Sequence, residues 1–236
     1  MYFRDRIVAG RKLGAELAGR GLADPVVLGL ARGGVPVAAE VARVLRAPLD
    51  VLVVRKVGAP FQPELAVGAV AEGVTALSEE LIAQLGLRPA EVEAVARTER
   101  DEVARRTEKF RRVAPRLDLR GRTAVIVDDG IATGATVRAA AEVARKLGAA
   151  QVVVAAPVSS LEARRLLRGL ADEVVALDYP EPFMAVGCWY DDFRQTTDEE
   201  VLQLLAAARE EHPEPAGAGG LQPRPVDASS SALTSA

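Results

Sequence analysis

The chain is poor in the residue types on which many catalytic sites are built. Its one cysteine, Cys188, excludes an internal disulfide and fits a reducing compartment, so a cytoplasmic protein is expected. Its one histidine, His212, borders a Pro- and Gly-rich tail, which leaves a Ser-His-Asp triad or a conventional zinc site almost without material. No apolar run approaches the length of a membrane span, and the N-terminus carries Arg4, Asp5 and Arg6 where a signal peptide would be apolar. Neither sign of charge dominates: 30 Lys and Arg stand against 33 Asp and Glu, a net charge of −3. Non-specific nucleic-acid binding is therefore not expected. With 49% apolar residues among 236, the chain can bury a real core.

What is present concentrates in Thr123-Ala124-Val125-Ile126-Val127-Asp128-Asp129-Gly130-Ile131-Ala132-Thr133-Gly134-Ala135-Thr136-Val137. The apolar, β-branched opening has the composition of a buried parallel strand. A helical pattern follows from about Ala135 (Ala139, Ala140, Val143, Ala144, Leu147) and stops at Gly148. A loop feeding a helix N-terminus offers unpaired N–H groups and the positive end of a dipole. Gly130 and Gly134 allow an anion to approach, and Thr133 and Thr136 add hydroxyls. Asp128 and Asp129 would repel a phosphate and should face neutral hydroxyls or a metal. A ribose diol beside a 5′-phosphate satisfies both halves. Neither a Walker A loop nor a Gly-x-Gly-x-x-Gly fingerprint is present.

This stretch resembles the phosphoribosyl-pyrophosphate (PRPP) signature of the type I phosphoribosyltransferases. The resemblance implies an α/β fold: an open, mostly parallel sheet flanked by helices, with a small hood and a helical insertion. It also implies that Asp128 and Asp129 bind the ribose hydroxyls and that Gly130, Ala132, Thr133, Gly134, Ala135 and Thr136 hold the 5′-phosphate.

Other stretches of the chain supply candidates for the remaining parts. A helix is read from about Arg6 to Arg20, then a strand from Pro25 to Leu30 and the turn Ala31-Arg32-Gly33-Gly34. By itself that turn is either an anion cradle or a tight turn with a solvated Arg. The resemblance makes it the pyrophosphate loop and implies a cis peptide at Ala31–Arg32. A strand from Asp50 to Val54 delivers Arg55 and Lys56 at its end, a second hand on the pyrophosphate or a solvated strand terminus. Two Pro and a Gly between Val57 and Glu64 argue against regular structure, and the family places a mobile catalytic loop there. Leu65 to Glu72 reads as a returning strand. Residues 78–116 read as a helical insertion, Ser78 capping its start; the alternating charges favour a solvated face over a nucleic-acid patch, and packing on a second subunit stays open.

Strands are expected at Gln151 to Val158 and Glu173 to Leu177, a helix near Leu161 to Leu170, and a capped last helix from Thr197-x-x-Glu200 to about Arg209. Between them, residues 179–195 form the hood by resemblance. Phe183, Met184, Ala185 and Trp189 are its base-facing candidates, with Asp191, four residues after Gly187, as the metal-binding acid. Residues 1–209 are read as one domain, and 210–236 as a disordered tail.

The implied activity is transfer of the 5-phosphoribosyl group from PRPP to a nitrogenous base with release of pyrophosphate, in nucleotide metabolism and with Mg²⁺ as cofactor. Asp128, Asp129, Arg55 and Lys56 would carry it. Two departures leave the base open: Ala132 stands where the hypoxanthine/guanine branch has a third acid, and Pro157-Val158-Ser159-Ser160 where it has a Lys. Ala132 resembles the adenine and orotate types. The alternative function is a non-catalytic PRPP-sensing regulator with the same site. A phosphohydrolase would explain the acids but not two anion loops.

Overall fold

Short β-branched runs alternate with Ala-rich helical segments, and in the computed structural model, which describes residues 1–213, that alternation becomes a layered α/β fold. In chain order the elements are α1 (Arg6–Ala18), β1 (Pro25–Leu30), α2 (Gly34–Leu45), β2 (Leu49–Leu52), β3 (Val54–Ala59), β4 (Gln62–Ala71), β5 (Val74–Leu77), α3 (Glu79–Gln84) and α4 (Pro89–Arg111). Then follow β6 (Thr123–Val127), α5 (Ala135–Lys146), β7 (Gln151–Val158), α6 (Leu161–Leu167), β8 (Glu173–Asp178) and α7 (Asp198–Glu211). A 3-10 turn covers Val186–Trp189 before the last helix.

The main sheet has the order β2-β1-β6-β7-β8, and every pairing in it is parallel. Both faces are covered, so strand residues alternate between two apolar layers instead of between core and water. Val27, Val125, Val127 and Val153 pack with Leu13 and Leu17 of α1, Val37 and Val41 of α2, and Val201 and Leu205 of α7. Val26, Ala124, Ile126 and Val154 pack with Val137, Ala140 and Val143 of α5 and Leu167 of α6. Each fully buried Val or Ile contributes about 1.5–3 kcal/mol by leaving water. β6 is buried along its whole length.

From β1 the chain steps outward to β2, whereas β6 pairs on the other side of β1. That reversal makes a crevice at the carboxyl ends of β1 and β6, the place where open α/β sheets bind ligands.

Two local expectations are corrected. The strand beginning near Asp50 ends at Leu52, and the chain crosses at Val53 into a separate antiparallel sheet of order β3-β4-β5. Arg55 and Lys56 therefore sit on β3 and not at the end of a core strand. The stretch Val57 to Glu64 is not irregular: β3 and β4 form a hairpin that turns at Pro60 and Phe61. Its breakers are accommodated locally. The register shifts between Val57 and Ala59, opposite Pro63, so the missing N–H of Pro63 falls at a bulge. The returning strand is longer than read, and Val74–Leu77 adds a third that the residue pattern did not reveal.

Elsewhere the expected caps hold: the Ser78 hydroxyl accepts from Leu81 N at the start of α3, and Thr197 and Glu200 form a complete capping box on α7. Pro89 opens α4. The helix after β7 stops at Leu167, three residues short of the expected end. The hairpin and α4 join the main-sheet core through Val57, Val67, Val103 and Phe110, and charge ties them further. Arg111, at the end of α4, donates to Asp50 at 2.6 Å and to Glu72 at 2.6 Å, with Asp50 almost wholly buried. No helix among the described residues is long and apolar enough to cross a membrane. The proposed tail, apart from residues 210–213, lies outside the described residues.

Candidate active site

The crevice between β1 and β6 collects two loops. The first, Ala31 to Gly34, leaves β1; its Ala31–Arg32 peptide is cis. The second, Asp128 to Gly134, leaves β6 and starts α5 from Gly134, whose φ of 78° suits glycine. They touch closely: a Cβ on Gly34 would lie 2.5 Å from the Val127 carbonyl oxygen, and one on Gly33 would lie 2.2 Å from Asp129 Oδ2. The double glycine thus brings the first loop against the acid pair.

Ala132, Thr133, Ala135 and Thr136 are exposed, whereas Gly130 and Gly134 are buried. The loop is braced from behind: Ile131 N donates to the Val158 carbonyl at 2.9 Å, and the Ser160 hydroxyl donates to the Ala132 carbonyl at 2.5 Å. Bracing keeps its N–H groups oriented at the start of α5, a surface suited to an anion.

The acid pair is half-buried and electrically tense. Burial pushes the Asp128 carboxyl well above the usual carboxylate range, and the neighbouring Asp129 charge adds to that. Asp129 is also pushed up by burial, and Arg6 opposes the rise. Arg6 donates to Asp129 Oδ2 from Nη2 at 2.7 Å and from Nε at 2.9 Å. Asp128 Oδ1 accepts the Asp129 N–H at 2.9 Å.

Above the crevice lies the segment around the 3-10 turn. The Tyr190 hydroxyl donates to the Asp129 carbonyl at 2.6 Å, and burial keeps that phenol protonated. Val186 presses on Gly130, where an added Cβ would meet its Cγ1 at 2.4 Å. Phe183 and Trp189 are neighbours with ring centres 6.4 Å apart; Met184 is 76% exposed and Ala185 is also exposed. Asp191 is exposed, with its backbone N–H bonded to the Phe3 carbonyl. Among the described residues no three His, Cys, Asp or Glu side chains gather as a metal-ligand set, so Asp191 does not join the acid pair in one. Mg²⁺ needs no such cage, because it commonly takes one or two carboxylates and completes its shell with water and substrate phosphate oxygens. The hard oxygen donors at this crevice fit that pattern.

Arg55 and Lys56 reach the site from the hairpin. With Ala135, Thr136, Val95 and Glu99 they line a cavity of about 380 Å³ between β3, α4 and the start of α5. Arg55 donates to Glu99 at 2.7 Å, so the helical insertion supplies its counter-ion. Arg32 is similarly balanced: its Nη1 lies 3.5 Å from Asp198, which also accepts from Lys109 at 2.9 Å.

The family model described as "Phosphoribosyl transferase domain" matches residues 6–190, a span that contains both crevice loops and the hairpin. The chain belongs to that family. Two curated relatives, from Mycobacterium tuberculosis strains CDC 1551 and H37Rv, carry the words phosphoribosyl transferase in their names. Each is 52% identical over 213 residues, 90% of this chain and 48% of the relative. The chain thus spans about half the length of the curated relatives it matches. The crystal structure of TT1426 from Thermus thermophilus is 49% identical and superposes with a TM-score of 0.84, over 88% of this chain and 99% of the other.

In this phosphoribosyl transferase domain the residue pattern pointed to both crevice loops but not to Arg6, Tyr190, Phe193 or Asp198. No local signal marks them. Arg6 reads as the first turn of an amphipathic helix, and its acidic partner lies 123 positions away. The N-terminal segment is also part of the hood: Phe3 N donates to the Trp189 carbonyl at 2.9 Å and its ring packs 5.6 Å from that of Tyr190.

Proposed function

We propose that this domain transfers the 5-phosphoribosyl group from PRPP to a nitrogenous base and releases pyrophosphate. One observation carries the reading: an acid pair, a helix-starting loop with exposed threonines, and a Gly-rich loop with an Arg meet at one crevice. Each suits a different part of PRPP. Asp128 and Asp129 would hold the ribose hydroxyls and stabilise positive charge as it develops on the ring. Gly130, Ala132, Thr133, Gly134, Ala135 and Thr136 would hold the 5′-phosphate, using binding energy remote from C1′ to position it. Ala31, Arg32, Gly33 and Gly34 would receive the departing pyrophosphate, with Arg55 and Lys56 closing from the hairpin. When bound, Mg²⁺ would neutralise pyrophosphate charge, with Asp191 as its candidate protein ligand. Phe183, Met184, Ala185 and Trp189 are the side of the cleft where a base would stack.

The test is pyrophosphate release from PRPP and Mg²⁺ across purine and pyrimidine bases. Base-dependent release is the expected result and names the acceptor class. PRPP binding without release on any base would favour a regulatory sensor using the same crevice. Absence of PRPP binding would remove both readings.

A further inference from the structure

The buried contact between α1 and the acid pair does more than neutralise charge. Both Arg6 nitrogens that reach Asp129 converge on one oxygen, Oδ2, at 2.7 and 2.9 Å. The third nitrogen, Nη1, donates to the Arg194 carbonyl at 2.8 Å. The Phe193 ring lies under the guanidinium, its centre 4.0 Å from Cζ, and the Tyr190 ring is 6.0 Å away. Asp5 fixes the helix turn from which Arg6 springs by accepting from Val8 N at 2.7 Å. The Arg6 and Asp129 side chains are only 11% and 14% exposed, which separates this pair from the mobile ion pairs of the surface. Gly33, from the opposite loop, closes on the same Oδ2. Two donors from one guanidinium hold that oxygen, and the Gly33 backbone crowds it, so rotation of the carboxylate is restricted and Oδ1 is the oxygen that Arg6 leaves open.

We propose that Arg6 is the positioning residue of the acid pair: it anchors Asp129 through Oδ2 and thereby presents Oδ1 to a sugar hydroxyl in the crevice. The proposal rests on the transferase reading and deepens it. Asp128 is aligned separately, by the backbone N–H of Asp129, so Arg6 acts on the Asp129 side chain. Preorganised acceptors cost less to align when substrate arrives, so the benefit belongs in PRPP affinity and in turnover alike.

The experiment compares wild type with Arg6→Met, Arg6→Lys, Asp129→Asn and the Arg6→Met/Asp129→Asn double variant, measuring PRPP binding by calorimetry and pyrophosphate release. Arg6→Met should weaken PRPP binding about tenfold, equivalent to about 1.4 kcal/mol. Arg6→Lys, which keeps the charge and a donor, should return to within about threefold of wild type. In the Asp129→Asn background, Arg6→Met should add less than about twofold, because residues acting through one group are not additive. Equal losses from Arg6→Met in both backgrounds, no loss at all, or failure of Lys to rescue would each overturn the role of Arg6. Those results leave the transferase reading standing. Absence of PRPP binding by wild type removes that reading, and this proposal with it.

Discussion

Two regions face each other across the crevice; they share one apolar core and differ in how much charge is added to it. The carboxyl edge of the main sheet is apolar and preformed: β6 is wholly buried, and its loop is braced by Ile131 and Ser160. The β3-β4-β5 sheet and α4 enter the same apolar core through Val57, Val67, Val70, Val92, Val103 and Phe110, and carry ion pairs besides: Arg55 to Glu99, Arg111 to Asp50 and Glu72, and Lys109 to Asp198. Apolar packing is not screened by salt as charges are, and it fixes position to within the fit of side chains. The part-exposed pairs Arg55–Glu99 and Lys109–Asp198 are weak and screened, whereas Arg111–Asp50 is buried and little screened. On the proposed transferase reading, the sheet edge would define where the sugar phosphate sits and the more charged region would adjust around it.

The largest effect should come from removing the acids on the rigid side. Asp128→Asn with Asp129→Asn should lower pyrophosphate release by about a thousandfold or more while circular dichroism stays native. Activity near wild type would mean that this edge is scaffold and the chemistry lies elsewhere. On the ion-tied side, Arg111→Met should cost about 3–5 kcal/mol in urea denaturation, because it strands the buried Asp50 carboxylate. Adding Asp50→Asn should recover part of that loss; a single-variant cost near zero would show that the ions merely decorate the fold.

Gly34→Ala addresses the contact between the two loops. Its new Cβ would sit 2.5 Å from the Val127 carbonyl oxygen, and a cost of about 1–3 kcal/mol is expected. An unchanged melting temperature would show that the rigid edge yields more readily than its packing implies.

Asp128→Asn alone should then raise thermal stability at neutral pH. Its carboxyl is held above the usual range by burial, so the folded state disfavours the charge. Such a group stabilises the fold when protonated, below its unfolded value of about 4. That contribution is lost as pH rises through the folded value. The gain from Asn should therefore be present at pH 7 and vanish as the pH falls towards about 4. A gain equal at both pH values would point to packing instead.

The smallest effect belongs to Glu99→Gln. Breaking the part-exposed Arg55 pair should change stability by less than about 1 kcal/mol, and by still less in high salt. A large, salt-independent loss would erase the distinction between the two regions.

How much of this was legible follows from how far apart the partners lie. β6, the acidic turn and α5 occupy one continuous stretch, and strand composition, turn glycines and helical spacing are local signals. The hairpin was hidden because Gly58, Pro60 and Pro63 each read as a breaker, and only pairing with β4 reveals the register shift that admits them. The cis Ala31–Arg32 peptide agrees with the family resemblance; nothing in the composition of that turn specifies it. Arg6 carries no local mark at all, since its contact with Asp129 forms only when α1 is folded against a loop 123 residues downstream. The same holds for Tyr190, whose hydroxyl meets a carbonyl 61 residues away.

Trp189 gives the hood a property of practical use. It is the only tryptophan in the chain, and it sits between Tyr2, with ring centres 5.5 Å apart, and Phe183 at 6.4 Å. Light absorbed at the red edge of the protein spectrum is taken up by that indole alone. Its emission colour and lifetime are therefore a native optical readout of one wall of the crevice, without a label and without a background from the core. A titration with a sugar phosphate, followed through that single emitter, would report whether the wall moves when the crevice fills.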